Sequence, residues 1–149
     1  MLFRSIFPEA VFEVQSPFMV DIDAISVTID ADTRFYVLHL ASDPMDEGST
    51  VELLMTDSAA YRTAEGIGPG SSIAEAEGVY GEATLSYHTA SESREQVSFA
   101  EFPYEGMSIW TDYWGSGEFA GEYESSDGEH FTTDSYREDA AIGYVLLRR

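Results

Sequence analysis

The 149-residue sequence contains no cysteine and no lysine. The first absence excludes disulfides, thiolate metal sites and cysteine nucleophiles. The second leaves seven basic residues, all arginine: Arg4, Arg34, Arg62, Arg94, Arg137, Arg148 and Arg149. Against them stand 28 aspartates and glutamates, for a formal net charge of −21. So acidic a surface repels phosphate backbones and anionic bilayers, so no nucleic acid and no charged membrane surface is an expected partner. No apolar run approaches the ~18 residues of a membrane-spanning helix, so no transmembrane segment is expected. The apolar opening Met1–Phe7 meets Pro8 and Glu9 at once. It is too short for the core of a signal peptide. The chain reads either as cytoplasmic or, with a slight lean, as an exported envelope protein whose leader has been removed.

What is present fits one domain, residues 1–149. Apolar residues make up 44% and aromatics 13%, too much for intrinsic disorder. A chain of this length buries about 68–70% of its unfolded surface and needs no staples. The acids are spread along the chain rather than blocked together. A cation or partner site is one explanation. The even spread and the use of arginine for lysine favour another, life in concentrated salt. There the Debye length falls to about 3 Å near 1 M, and charge keeps a protein soluble.

Most of the chain has the pattern of strands. They are expected at Val11–Val14, Phe18–Asp30, Phe35–Leu40, Thr50–Thr56, Ala83–His88, Gln96–Phe102, Met107–Trp114 and Ala141–Leu147. In Phe18–Asp30 the two-residue period slips at Asp23-Ala24, which predicts a bulge there. Turns are expected at Asp30–Thr33, Ser42–Gly48, Arg94-Glu95 and Glu101–Gly106. Short connections favour antiparallel neighbours in a meander. One short helix is expected at about 71–80. Ser72 and Glu75 form a capping box, Ile73, Ala76 and Tyr80 share a face, and Gly81 ends it. The Gly/Ser-rich acidic stretch 115–139 reads as a hairpin with Glu118–Tyr123 as one arm, or as a loop. The fold class is α+β: an antiparallel, mostly meander sheet carrying one short helix.

Few residues point to chemistry. The loop Gly66–Ser72 reads first as a tight turn needing positive φ. An anion cradle formed by Gly68, Gly70, Ser71 and Ser72 at the helix start is the alternative. Tyr104, Trp110, Tyr113 and Trp114 could form a flat-ligand platform, within an aromatic cluster spanning residues 102–123. Core packing and cross-strand pairing is the plainer account of them. On the strand after Met107, Trp110 and Trp114 share one face while Ile109 and Tyr113 share the other. Calcium-loop spacing fails at Met45 and Leu54. His39, His88 and His130 have no metal-motif spacing. Gly115-Ser116-Gly117 is not a nucleophile elbow. No catalytic residue, metal site or cofactor is implied.

Leu54–Asp57, Tyr61–Thr63, Gly66-Ile67, Gly70–Ile73, Glu75 and Tyr80-Gly81 together resemble a segment of small bacterial envelope or lipoprotein-type proteins of unknown function. That pattern is a strand ending in Thr, then Gly-Ile, then Gly-Ser-Ser opening a short helix that ends in Tyr-Gly. Tyr104–Trp110 is similar to a later strand of the same proteins. The resemblance spans about 30 contiguous residues and implies architecture and an envelope location, with no catalytic set. The acidic stretch 115–139 departs from it. The leading expectation is therefore a non-enzymatic accessory domain of the envelope of a salt-adapted bacterium, acting through another protein. A small-ligand or carbohydrate module using the 102–123 aromatics is the alternative, and a hydrolase using a carboxylate pair the third.

Overall fold

The strands and helices are taken from a computed structural model, which describes residues 2–46, 48–113, 118–124 and 127–149. Nine strands follow one another as β1 (Val11–Met19), β2 (Ile22–Thr28), β3 (Arg34–Leu40), β4 (Leu53–Thr56), β5 (Ala83–His88), β6 (Gln96–Phe99), β7 (Met107–Thr111), β8 (His130–Thr133) and β9 (Ile142–Arg148). A single-turn helix α1 (Leu2–Ile6) precedes them, and α2 (Ile73–Tyr80) lies between β4 and β5. All strands belong to one antiparallel sheet. The sheet-rich architecture with one short helix between β4 and β5 is as the sequence predicts; α1 is an addition.

The order across the sheet is β1-β2-β3-β4-β9-β7-β6-β5-β8. The sheet is antiparallel as expected, but it is not one continuous meander. β1–β4 form one meander and β5–β7 another, and β9 is inserted between them. Its register with β4 runs from Leu53↔Arg148 to Thr56↔Val145, and with β7 from Met107↔Leu147 to Thr111↔Ile142. At the β7 bulge next to Thr111, Gly143 is needed because a Cβ there would run into the backbone of Asp112.

Strand alternation sends apolar residues to both faces. On one face Tyr36, Leu38, Met55 and Leu146 pack with Met19 and Ala24, flanked by Trp110 and Tyr144. The other face carries two separate clusters. Val27, Phe35 and Val37 lie near Phe7 and Phe12 at the β1–β3 end. Leu85, Val97, Phe99, Ile109 and Val145 lie beneath α2 at the other.

Helix α2 starts as its sequence dictates. The Ser72 Oγ accepts from the Glu75 N–H at 3.1 Å, and the Glu75 carboxylate accepts from the Ser72 N–H at 2.9 Å. Such a cap contributes about 1 kcal/mol. Ile73, Ala76 and Tyr80 are buried, and Gly81 ends the helix at φ 78°. β5 has the predicted bounds; β4, β6 and β7 are shorter than predicted.

Two local expectations are corrected. Phe18–Asp30 is not one bulged strand. Val20 and Asp21 make a hairpin turn, with Asp21 at φ 58° and Met19 opposite Ile22. The irregularity lies on the partner strand β1, between Gln15 and Met19, where Pro17 sits on an edge that needs no N–H. Glu95, read as a turn residue, is 1% exposed. Within 115–139, the arm Glu118–Tyr123 bonds to residues 135–137: the Glu122 N–H donates to Ser135 O, and the Arg137 N–H to Ala120 O. The segment also supplies β8, which pairs with β5; residues 115–117, 125 and 126 lie outside the described residues. No helix among the described residues is long and apolar enough to cross a membrane.

Candidate functional site

The two clusters on the helix-bearing face do not meet. Between them lies an apolar cleft of about 360 Å³. That volume is within the ~300–1,000 Å³ range of small-molecule sites. Its floor is sheet: Phe35 of β3, Leu54 of β4, Val145 and Leu147 of β9, and Met107 of β7. Leu147 stands opposite both Leu54 and Met107. These residues share one side because they are register partners, which the pleat holds on a common face. Phe7, after α1, closes one wall, and Tyr61, Thr63 and Ile67 from the β4–α2 connection close the other. Leu147 is on a central strand, yet 43% exposed. Nothing among the described residues covers it. Among the described residues the lining includes no carboxylate and no imidazole.

The β4–α2 connection is held tightly. Thr63 N–H donates to Ile67 O at 2.8 Å, and Gly66, at φ 87°, closes the turn. The Arg62 Nε–H donates to Ala59 O at 3.0 Å, and Nη1 donates to Ser71 Oγ at 2.7 Å and Gly66 O at 3.4 Å. Gly68 leaves room for the Arg62 stem; a Cβ there would press on Arg62 Cδ and run into Tyr61 O. Farther along, the Tyr80 and Tyr104 hydroxyls both donate to the exposed Glu65 carboxylate, at 2.8 and 2.6 Å. The Tyr104 bond first, then the Tyr80 bond, holds the Glu65 carboxyl below its ordinary range. Burial pushes the Tyr80 phenol up to about 12.

A second carboxylate is wholly inside. Glu95 accepts from Thr111 Oγ1 at 2.8 Å, the Ala120 and Gly121 N–H groups at 2.9 and 2.8 Å, and the Tyr123 hydroxyl at 2.9 Å. Burial, then the Glu95 charge and hydrogen bond, push the Tyr123 phenol up. Every donor to this charge is supplied by the fold, so the group pins residues 120–123 to β7 and leaves no free lone pair in reach of a substrate.

No family model, curated protein or solved structure matches the chain. The site is therefore argued from its own geometry.

That geometry disperses the residues singled out from the sequence. Tyr104 packs on Tyr80 and Phe102 near α2. Trp110 is on the opposite face, beneath the Arg94 guanidinium at 5.2 Å. Tyr113 stacks on Phe119 at 4.0 Å, Phe119 on Tyr87 at 4.2 Å, and Tyr87 on Phe131 at 4.8 Å. These rings are packed on one another rather than fanned toward solvent. Trp114 lies outside the described residues. At the glycine-rich loop the donors are spent internally. Gly68 N–H goes to Ser71 Oγ, Gly70 N–H to Ile142 O, Ser71 N–H to Gly68 O, and Ser72 N–H to Glu75. Among the described residues no three histidines or carboxylates converge as a metal set. The cleft itself escapes sequence reasoning because its lining runs from Phe7 to Leu147. The segments of the resemblance supply one wall, through Tyr61–Thr63 and Ile67, and part of the floor, through Leu54 and Met107, but nothing in them marks a cleft.

Proposed function

We propose that the protein is a non-catalytic binding domain that takes a small apolar molecule into the cleft between its two cores. The carrying observation is Leu147, an apolar side chain at the middle of the sheet, left open above a floor that is apolar apart from Thr56. An occupant that covers this floor gains about 25 cal/mol per Å² of apolar surface removed from water. A lining without carboxylate or imidazole supports binding rather than catalysis. The protein partner that the envelope resemblance implies rests on that resemblance alone, whereas the concave shape supports a small molecule.

The test is thermal unfolding with 1-octanol. The expected result is a saturable rise in Tm, following RT ln(1 + [L]/Kd), that is lost in Leu147→Gln. No saturable rise overturns the proposal.

The acidity supports a second reading, of setting. With a net charge of −21, screening by salt relieves self-repulsion in the compact state. Molar KCl is expected to raise Tm steadily; an unchanged Tm overturns the salt-adapted reading.

A further inference from the structure

We infer that the occupant of the cleft is an anionic amphiphile, an aliphatic monocarboxylate whose head is received by Arg62; this rests on the cleft being a binding site. The argument begins with how the arginines are used. Arg34 pairs with Asp57 at 2.5 Å, Arg94 with Glu92 at 3.4 Å, and Arg137 with Glu118 at 3.0 Å and Asp139 at 3.5 Å. Arg62 differs. It lines the cleft, its side chain is exposed, and its acceptors are all neutral: Ala59 O, Gly66 O and Ser71 Oγ.

A guanidinium has five N–H donors in a planar fork. These three bonds occupy Nε and Nη1, so both N–H groups of Nη2 have no acceptor among the described residues. Arg62 does act electrostatically on Glu75, where it is the last of the causes lowering that carboxyl. The Glu75 carboxylate, however, is turned to the Ser72 N–H and hydroxyl, at 2.9 and 3.0 Å. Here, in a chain with four acids for each base, one cation is fixed at the edge of an apolar cleft without a carboxylate partner of its own among the described residues.

Three bonds hold the guanidinium before any ligand arrives, so little side-chain freedom is lost on binding. Charge-assisted bonds to a carboxylate are about twice as strong as neutral ones. The cleft volume of about 360 Å³ has room for about a dozen groups of water size, which suits an eight-carbon chain with its head at the rim. The protein's overall charge opposes any anion, but over distances that salt screens. Recognition therefore depends on the contact with Arg62 and not on long-range steering.

The experiment compares octanoate with 1-octanol by calorimetry on the full chain at pH 7 in 1 M KCl, for the native protein, Arg62→Gln and Arg62→Lys. Octanoate is expected to bind the native protein about tenfold more tightly than 1-octanol. Arg62→Gln is expected to bring the two ligands within about twofold of each other by removing the charge-assisted bond; the ratio is read within the one variant, and an unaltered far-UV spectrum checks that it is folded. Arg62→Lys is expected to keep part of the preference, because the charge remains while the fork is lost. Equal binding of both ligands by the native protein overturns the anion inference and leaves the cleft reading standing. Octanoate preference that survives in Arg62→Gln also overturns it. Binding of neither ligand overturns the cleft reading itself.

Discussion

Glu95 and Glu65 are the same chemical device in two solvents. Each carboxylate collects tyrosine hydroxyls from distant parts of the chain: Tyr123 in one case, Tyr80 and Tyr104 in the other. Glu95 is buried under four donors and ties the 120–123 segment to β7. Glu65 is exposed and clasps the β4–α2 connection to the β6–β7 turn. Water reaches the Glu65 carboxylate itself, whereas three of the four bonds to Glu95 are fully buried. The first is therefore an adjustable clasp beside the cleft, and the second is part of the fold's definition.

The comparison breaks first at Glu95. Glu95→Ala strands two backbone N–H groups and two hydroxyls in the interior, and is expected to cost about 3–5 kcal/mol in denaturant unfolding. A loss under about 1 kcal/mol would put Glu95 on a level with a surface group. Next comes Tyr123→Phe, which removes one donor and is expected to cost about 1–3 kcal/mol. Tyr104→Phe, its counterpart at the exposed clasp, is expected to shift the midpoint far less.

Alkaline titration sharpens the contrast further. Tyr36, Tyr80 and Tyr136 are pushed up to about 12, each chiefly by burial. Unfolded tyrosines ionise near 10. A folded pKa above the unfolded one means that the stabilisation is complete below about pH 10 and is lost as pH rises through about 12. Tyrosinate absorbance is expected to appear in two stages, the second coinciding with loss of tertiary signal. One stage near pH 10 would contradict this.

The smallest effect belongs to Glu65→Gln, for which no measurable change in the neutral-pH midpoint is expected. Its mark is on the acid limb. Hydrogen bonds from Tyr104 and Tyr80 lower the Glu65 carboxyl, and the Ala83 N–H and Tyr136 lower that of Glu77. Lowered carboxyls stabilise above their ordinary value of 4.5 and lose that contribution as pH falls through the folded pKa. Glu65→Gln is expected to flatten this acid limb slightly. A steeper limb would rule the clasp out.

What could be read from the sequence was what neighbouring residues determine. Ser72, Glu75, Ile73, Ala76, Tyr80 and Gly81 specify α2 because caps and a 3.6-residue face are local. β5 is equally legible from Ala83, Leu85 and their alternation. The hairpin at Val20-Asp21 was not: Asp tolerates the left-handed φ of 58° that Asp21 adopts, but Val20 beside it and the apolar residues on both sides read as continuous strand. Glu95 has no local mark either, as its donors come from residues 111–123. The insertion of β9 is a tertiary choice. Its alternation gave a strand but no address in the sheet. Arg62 had its charge in view, but its significance depends on which acceptors surround it.

The position of β9 also sets a timetable. Among the described strands it comes last in chain order, yet it is the one that pairs with both β4 and β7. During vectorial synthesis each meander can close on its own near-neighbour pairings, which form fast. Both then wait with an unpaired edge, β4 on one and β7 on the other, and such edges invite pairing with other chains. The seam of the molecule, and the floor of the cleft with it, is laid down only when residues 142–148 arrive.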